Sequence, residues 1–180
     1  AQDFLANLAK LPSAIQNKIL KWAIKFQADP RSPGINYENI NASRDSNLKS
    51  VRIDQDWRGI VFKPSSGDVY VLLFVGHHDD AYRWAENKKL AINPVTGAMQ
   101  IVFTEQVVVQ EKVSASSAIV GAALPPFGNL SDTDLLSLGV PEDWIRAVKE
   151  LPDDASLDSI QQYLPIEAYE GLFLFLAGDS

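Results

Sequence analysis

Phe4, Leu5, Leu8 and Leu11 recur at helical spacing and stop at Pro12. From about Pro12 to Ala28, residues Ile15, Ile19, Leu20, Trp22, Ala23 and Phe26 give a second helix one apolar face. Lys18, Lys21 and Lys25 fall on the other, as a solvated face would have them. Asp29, Pro30, Pro33 and Gly34 end that helix, and residues 35–47 read as a loop with Asn-rich turns. Three strands are expected next, over about 48–54, 57–63 and 68–76, with Asp56 in the first turn and Ser65 to Asp68 in the second. The first alternates Leu48, Ser50, Arg52 and Asp54 against Lys49, Val51 and Ile53. The third is apolar on both faces, which predicts the central strand of the sheet. Asp79 or Asp80 is placed to N-cap a helix over residues 81–88.

Further along, residues 93–97 form a turn and Met99 to Phe103 a strand, while 105–113 suit strand or helix equally. Residues 114–121 (SASSAIVG) are small, and Pro125, Pro126, Phe127 and Gly128 extend them, so a linker is expected over 114–128. Short helices follow at about 131–138, 141–150, 156–163 and 166–177. Ser131 and Asp134 match a capping box with Asp in place of Glu, and Pro141 suits a helix start. Leu172 to Leu176 (LFLFL) would be a sticky patch unless covered. The expected fold class is α+β. Two N-terminal helices pack on a small antiparallel sheet within residues 1–113, and an acidic all-helical module spans 129–180.

The net charge of −7 over 180 residues supports two modules with different partners. Residues 1–90 hold 13 Lys and Arg against 10 Asp and Glu, about +3; residues 91–180 hold 3 against 13, about −10. General electrostatics therefore favours nucleic acid near the first half and disfavours it near the second. The chain has no cysteine, which excludes disulfides and thiolate metal sites and suits a reducing compartment. It has no signal-like N-terminus and no apolar run of the roughly 18 residues a membrane span needs, so a cytoplasmic location is expected. The start at Ala1 suggests processing or a piece of a longer protein.

Candidate chemistry concentrates between Leu48 and Trp84. Arg52 and Arg58 lie on adjacent strands, and the third strand leads into His77, His78, Asp79, Tyr82 and Arg83. Arginine holds phosphate, and a histidine beside it moves protons near neutral pH. Plainer readings stand beside these. Arg52 can pair with Asp54 or Asp56, and His77 to Asp80 can be a polar helix start whose carboxylates repel phosphate. Trp57 and Trp84 can stack on bases but are more often core residues in a small domain. His77, His78 and Asp79 make a poor metal set, because adjacent side chains of a strand point to opposite faces. Leu135 to Pro141 (LLSLGVP), between two short helices, has some likeness to a helix-hairpin-helix phosphate contact, against the acidity around it.

The two helices and the strands SVRI, WRGIVFK and DVYVLLFVGHHDDAY resemble the RelE/ParE toxin superfamily over roughly residues 1–90. HHDDAYRWA looks like the variant found ahead of some UvrD/Rep-type superfamily I DNA helicases, and SDTDLLSLGVPEDWIRAVKEL and LPIEAYEGLFLFLAG look like the connector of such proteins. The resemblance implies an accessory region that binds nucleic acid or a protein partner. In RNA-cleaving members it implies a ribosome-dependent endoribonuclease, with His77, His78 and Tyr82 at the catalytic positions. Arg52, Arg58, Lys49, Lys63 and Arg83 would hold DNA or ribosome-bound mRNA. The lysine-rich patch of the strongest ribonucleases is reduced to Lys49 and Lys63, and ParE-like members act on gyrase instead. A third reading is a toxin-fold protein-interaction module, contacting a partner through its sheet or its acidic C-terminal helices. No GxxxxGK[ST] occurs, so ATP and Mg would belong to a downstream motor and this stretch implies no cofactor of its own.

Overall fold

The computed structural model describes residues 2–104 and 125–178. The chain divides into two compact units between Lys88 and Lys89. Its class is α+β: two N-terminal helices, a four-stranded antiparallel sheet, then helices.

In the first unit, α1 (Gln2–Ala9) and α2 (Ser13–Ala28) precede β1 (Tyr37–Asn39), β2 (Leu48–Arg52), β3 (Trp57–Phe62) and β4 (Val71–His77). The strands lie in sequential order, and α3 (His78–Glu86) follows β4 without a loop. Side chains alternate across the sheet. One face sends Val51, Val61 and Val75 toward α1 and α2, where they join Phe4, Leu8, Ile19 and Phe26 in two clusters. Each fully buried aliphatic side chain of this kind contributes about 1.5–3 kcal/mol of transfer free energy. The opposite face carries Ser50, Arg58, Ile60 and Phe74 under α3, with Phe74 stacked on Trp84 at 5.0 Å.

Three expectations need correction here. First, β4 is the edge strand beside β3, not the central one. It is apolar on both sides because α1 covers one face and α3 the other. An unpaired residue, Leu73, forms a bulge opposite Ile60 and Val61. Second, Tyr37–Asn39, expected as loop, pairs antiparallel with Lys49 to Val51. Third, α3 begins at His78, one turn earlier than its carboxylates suggested. His77 occupies the N-cap without a side-chain cap, while Asp79 and Asp80 lie inside the first turn, where their charge complements the helix dipole.

The second unit opens with a hairpin of β5 (Lys88–Ile92) and β6 (Met99–Phe103), ahead of the stretch expected to be helical, which follows as α4 (Asp132–Ser137), α5 (Ile145–Lys149), α6 (Ala155–Ile160) and α7 (Ile166–Ala177). Of the helices expected at 141–150 and 156–163, the first opens in a 3-10 turn at Glu142–Trp144 and the second closes in one at Gln161–Tyr163. The hairpin belongs to this unit rather than to a 1–113 domain, because its side chains serve the helices. Val102 is fully buried with Trp144, Phe127, Leu135, Leu151 and Leu172. Trp144 Nε1 donates to the Phe103 carbonyl at 3.2 Å. The buried Asn93 amide donates to Leu136 O at 2.9 Å, and Gln100 Nε2 donates to Gly139 O at 2.6 Å. Asn93 Oδ1 also accepts from the N–H groups of Val95 and Thr96, closing the expected turn.

Residues 125–128, assigned above to a linker, carry the fully buried Phe127 and so belong to this core. The rest of that linker, and the 105–113 segment, lie outside the described residues. The Ser131–Asp134 capping box is present in both directions. Of the LFLFL run, Leu172 is buried whereas Phe173 and Leu174 are exposed.

Candidate nucleic-acid interface

Antiparallel register brings the end of β2, the start of β3 and the end of β4 to one edge of the first unit. The turn between β2 and β3 organises that edge. Asp54 Oδ1 accepts from the N–H groups of Asp56 at 2.9 Å and Trp57 at 3.0 Å, and Asp54 Oδ2 pairs with Lys18 of α2 at 2.9 Å. Burial pushes the Asp54 carboxyl upward, but the hydrogen bonds from Lys18 and the two N–H groups outweigh it and hold it below the usual carboxylate range. The His78 N–H donates to Asp56 O at 2.9 Å, fastening the start of α3 to the same turn.

Arg58 is the largest departure from the expected site. It is only 4% exposed, and its Nη1 donates to the carbonyls of Asp54 at 2.8 Å, Trp57 at 3.1 Å and Gln55 at 3.3 Å. It holds the turn and does not present its charge to a ligand. Arg52, directly opposite it across the strands, is exposed. Of the two carboxylates that could have paired with Arg52, Asp54 and Asp56, the first is engaged by Lys18.

Around this turn stand four rings. Trp57 meets His77 edge-on at 5.2 Å, as a cross-strand pair, and His78 stacks on Tyr82 of α3 at 4.5 Å and 22°. Both histidines are exposed, and both other rings are half-buried. His78 Nδ1 lies 3.0 Å from Asp79 Oδ1. That hydrogen bond, with the nearby imidazole charge, draws the Asp79 carboxyl below its ordinary range. Asp80 offsets Arg83 at 3.7 Å on the exposed helix surface, a pair of small energetic weight. The carboxylates feared as repellents are thus each engaged by a neighbouring cation or ring. Trp84 stacks on Phe74, and Lys88 Nζ lies 4.7 Å from its ring centroid.

The two lysines expected at the site lie elsewhere. Lys49 donates to Asn39 Oδ1 at 2.6 Å, across β1 and β2. Lys63 follows the far end of β3 and sits 4.7 Å above the Tyr37 ring, in an open cleft that also contains Arg31 and Tyr70. Sequence reasoning did not find that cleft, because its residues come from three separate segments. Among the described residues, no group of three or more His, Asp or Glu side chains is placed to hold a metal ion, and no helix is long and apolar enough to cross a membrane.

In the second unit, the Leu135 to Pro141 turn has its N–H groups already in use. Leu138 donates to Asp134 O, Gly139 to Leu136 O and Val140 to Leu135 O. This removes the backbone donors that a helix-hairpin-helix phosphate contact requires. Compared with known proteins, the chain matches no family model, no curated protein and no solved structure.

Proposed function

We propose that the first unit is a non-catalytic module for single-stranded nucleic acid, the accessory region of a superfamily I DNA helicase that its HHDDAYRWA segment resembles. The observation that carries this reading is the division of labour at the sheet edge. Arg58 is consumed by backbone carbonyls, while Arg52, Arg83 and the rings of Trp57, His77, His78 and Tyr82 remain at the surface. Stabilising a pentacoordinate phosphate calls for preorganised charge at the reacting atoms. Binding a strand needs only scattered cations and flat rings, each stacked base adding about 1–3 kcal/mol. The acidic second unit would then face a protein rather than the strand.

The test is fluorescence anisotropy with a labelled single-stranded oligonucleotide at low salt. Arg52→Ala should weaken binding and reduce the salt slope by about 0.7, the contribution of one phosphate contact on a single strand. Unchanged affinity and slope would remove the basis of the proposal.

One observation favours a second reading, an endoribonuclease: the His78 ring, oriented by Asp79 and Tyr82, has the form of a general base. Cleavage of ribosome-bound mRNA by the intact protein, abolished in His78→Ala, would establish it in place of the first.

A further inference from the structure

The cleft near Lys63 has a volume of about 420 Å³, within the range of small-molecule sites. It lies where the loop after α2 meets β1 and the approach to β4. Buried Ile35 gives it an apolar wall. Tyr37 and Tyr70 stand 6.1 Å apart and tilted by 36°. The Tyr37 hydroxyl donates to Pro30 O at 2.5 Å, which fixes its ring. Burial, together with Tyr70 and Asp29, pushes that hydroxyl up to about 12, so the ring stays neutral.

The cations differ in their commitments. Lys63 rests on the Tyr37 face and forms no ion pair among the described residues. Arg31 pairs with Asp68 at the rim and donates to Gly67 O at 3.3 Å, and the Tyr70 hydroxyl and Asp68 beside it raise its pKa further; both members of the ion pair are largely exposed, so it is weak enough to be exchanged. Asp29 binds the Arg31 N–H at 3.0 Å. Asp29 and Asp68 are the carboxylates that oppose an anion here.

We propose that this cleft binds a nucleoside monophosphate, its base lying on the Tyr70 ring and its phosphate between Lys63 and Arg31. An aromatic ring beside two cations selects a ligand that carries both a flat π-system and a compact anion. Neither half alone uses the whole cleft. The site does not rest on the sheet-edge interface: the six steps from Trp57 to Lys63 separate them by about 20 Å along the strand.

The experiment is an NMR titration of the 180-residue chain with AMP, inorganic phosphate and adenosine in separate arms, each to about 10 mM, where millimolar binding saturates. AMP should give saturable shifts at Asn36, Lys63 and Tyr70, with phosphate and adenosine each at least about tenfold weaker. Lys63→Ala and Arg31→Ala should each weaken AMP about tenfold, one charge-assisted hydrogen bond, and leave adenosine unchanged. Tyr70→Leu should weaken AMP and adenosine but not phosphate. The absence of saturable AMP shifts at these residues would overturn the proposal. So would phosphate binding as tightly as AMP, which would make the cleft an anion site without a base pocket.

Discussion

Replacing Arg58 by methionine separates a structural arginine from a ligand-binding one. Methionine keeps most of the buried stem and removes the guanidinium. The loss is two good charge-assisted hydrogen bonds, at 2.8 and 3.1 Å, and one long one at 3.3 Å. At about 1.5–3 kcal/mol for each good bond, the gross cost is about 3–6 kcal/mol. Against this stand two reliefs. The buried Nε has no partner, and an unpaired buried donor costs about 1–3 kcal/mol. The guanidinium charge would also no longer be desolvated. The net expectation is a destabilisation of about 1–3 kcal/mol, with the β2–β3 turn loosened. Urea unfolding followed by tryptophan fluorescence reads it, since three of the four tryptophans, Trp22, Trp57 and Trp84, lie in the first unit. Arg52→Met is the control: an exposed substitution should stay within about 0.5 kcal/mol of the parent while weakening oligonucleotide binding. If Arg58→Met left stability untouched and lowered affinity as much as Arg52→Met, the structural assignment of Arg58 would be wrong.

Other consequences follow from single contacts. In Gly171→Ala the new Cβ would stand 2.7 Å from Leu138 O; the clash outweighs the gain in helix propensity, and a loss of about 1–2 kcal/mol should appear in thermal melting of the second unit. Asn93→Ala removes both the turn contacts to Val95 and Thr96 and the donor to Leu136 O. It should cost about 2–3 kcal/mol, and amide exchange should quicken in the Asn93–Ala98 turn. Asp54 has a depressed carboxyl pKa in the folded state. Its contribution is fully present above the unfolded value of about 3.9 and is lost as pH falls through the lower folded value. Asp54→Asn should therefore flatten the decline of stability below about pH 4; an unaltered acid limb would contradict the Lys18–Asp54 assignment.

The two N-terminal helices and three of the four strands were legible because burial follows periodicity: Phe4, Leu8, Ile19 and Phe26 are the residues that the helical spacing selects. The polar Tyr37–Asn39 strand was not, since three residues pair only because β2 offers an edge. The allegiance of the β5–β6 hairpin escaped for a different reason. It is set by amide contacts spanning 43 and 39 residues, from Asn93 to Leu136 and from Gln100 to Gly139, and no local pattern encodes these. At the site, the sequence marked His77, His78, Tyr82 and Arg52 as neighbours of one strand edge. It could not show that Arg58, one strand over, turns inward to three carbonyls. The cleft was hidden because Arg31, Tyr37, Lys63 and Tyr70 lie apart in sequence and each is unremarkable alone.

In the proposed function, Arg52, Arg83, the exposed His77 and His78 rings and the half-buried Trp57 and Tyr82 rings hold a single strand at the sheet edge. The most direct measurement is the salt dependence of single-stranded oligonucleotide affinity for three proteins: the parent, Trp57→Ala/Tyr82→Ala and Arg52→Ala/Arg83→Ala. The ring variant should lose about 5- to 150-fold per stacked base at an unchanged salt slope. The arginine variant should lose about 1.4 from the slope. Equal affinity and slope in all three proteins would contradict strand binding at this edge.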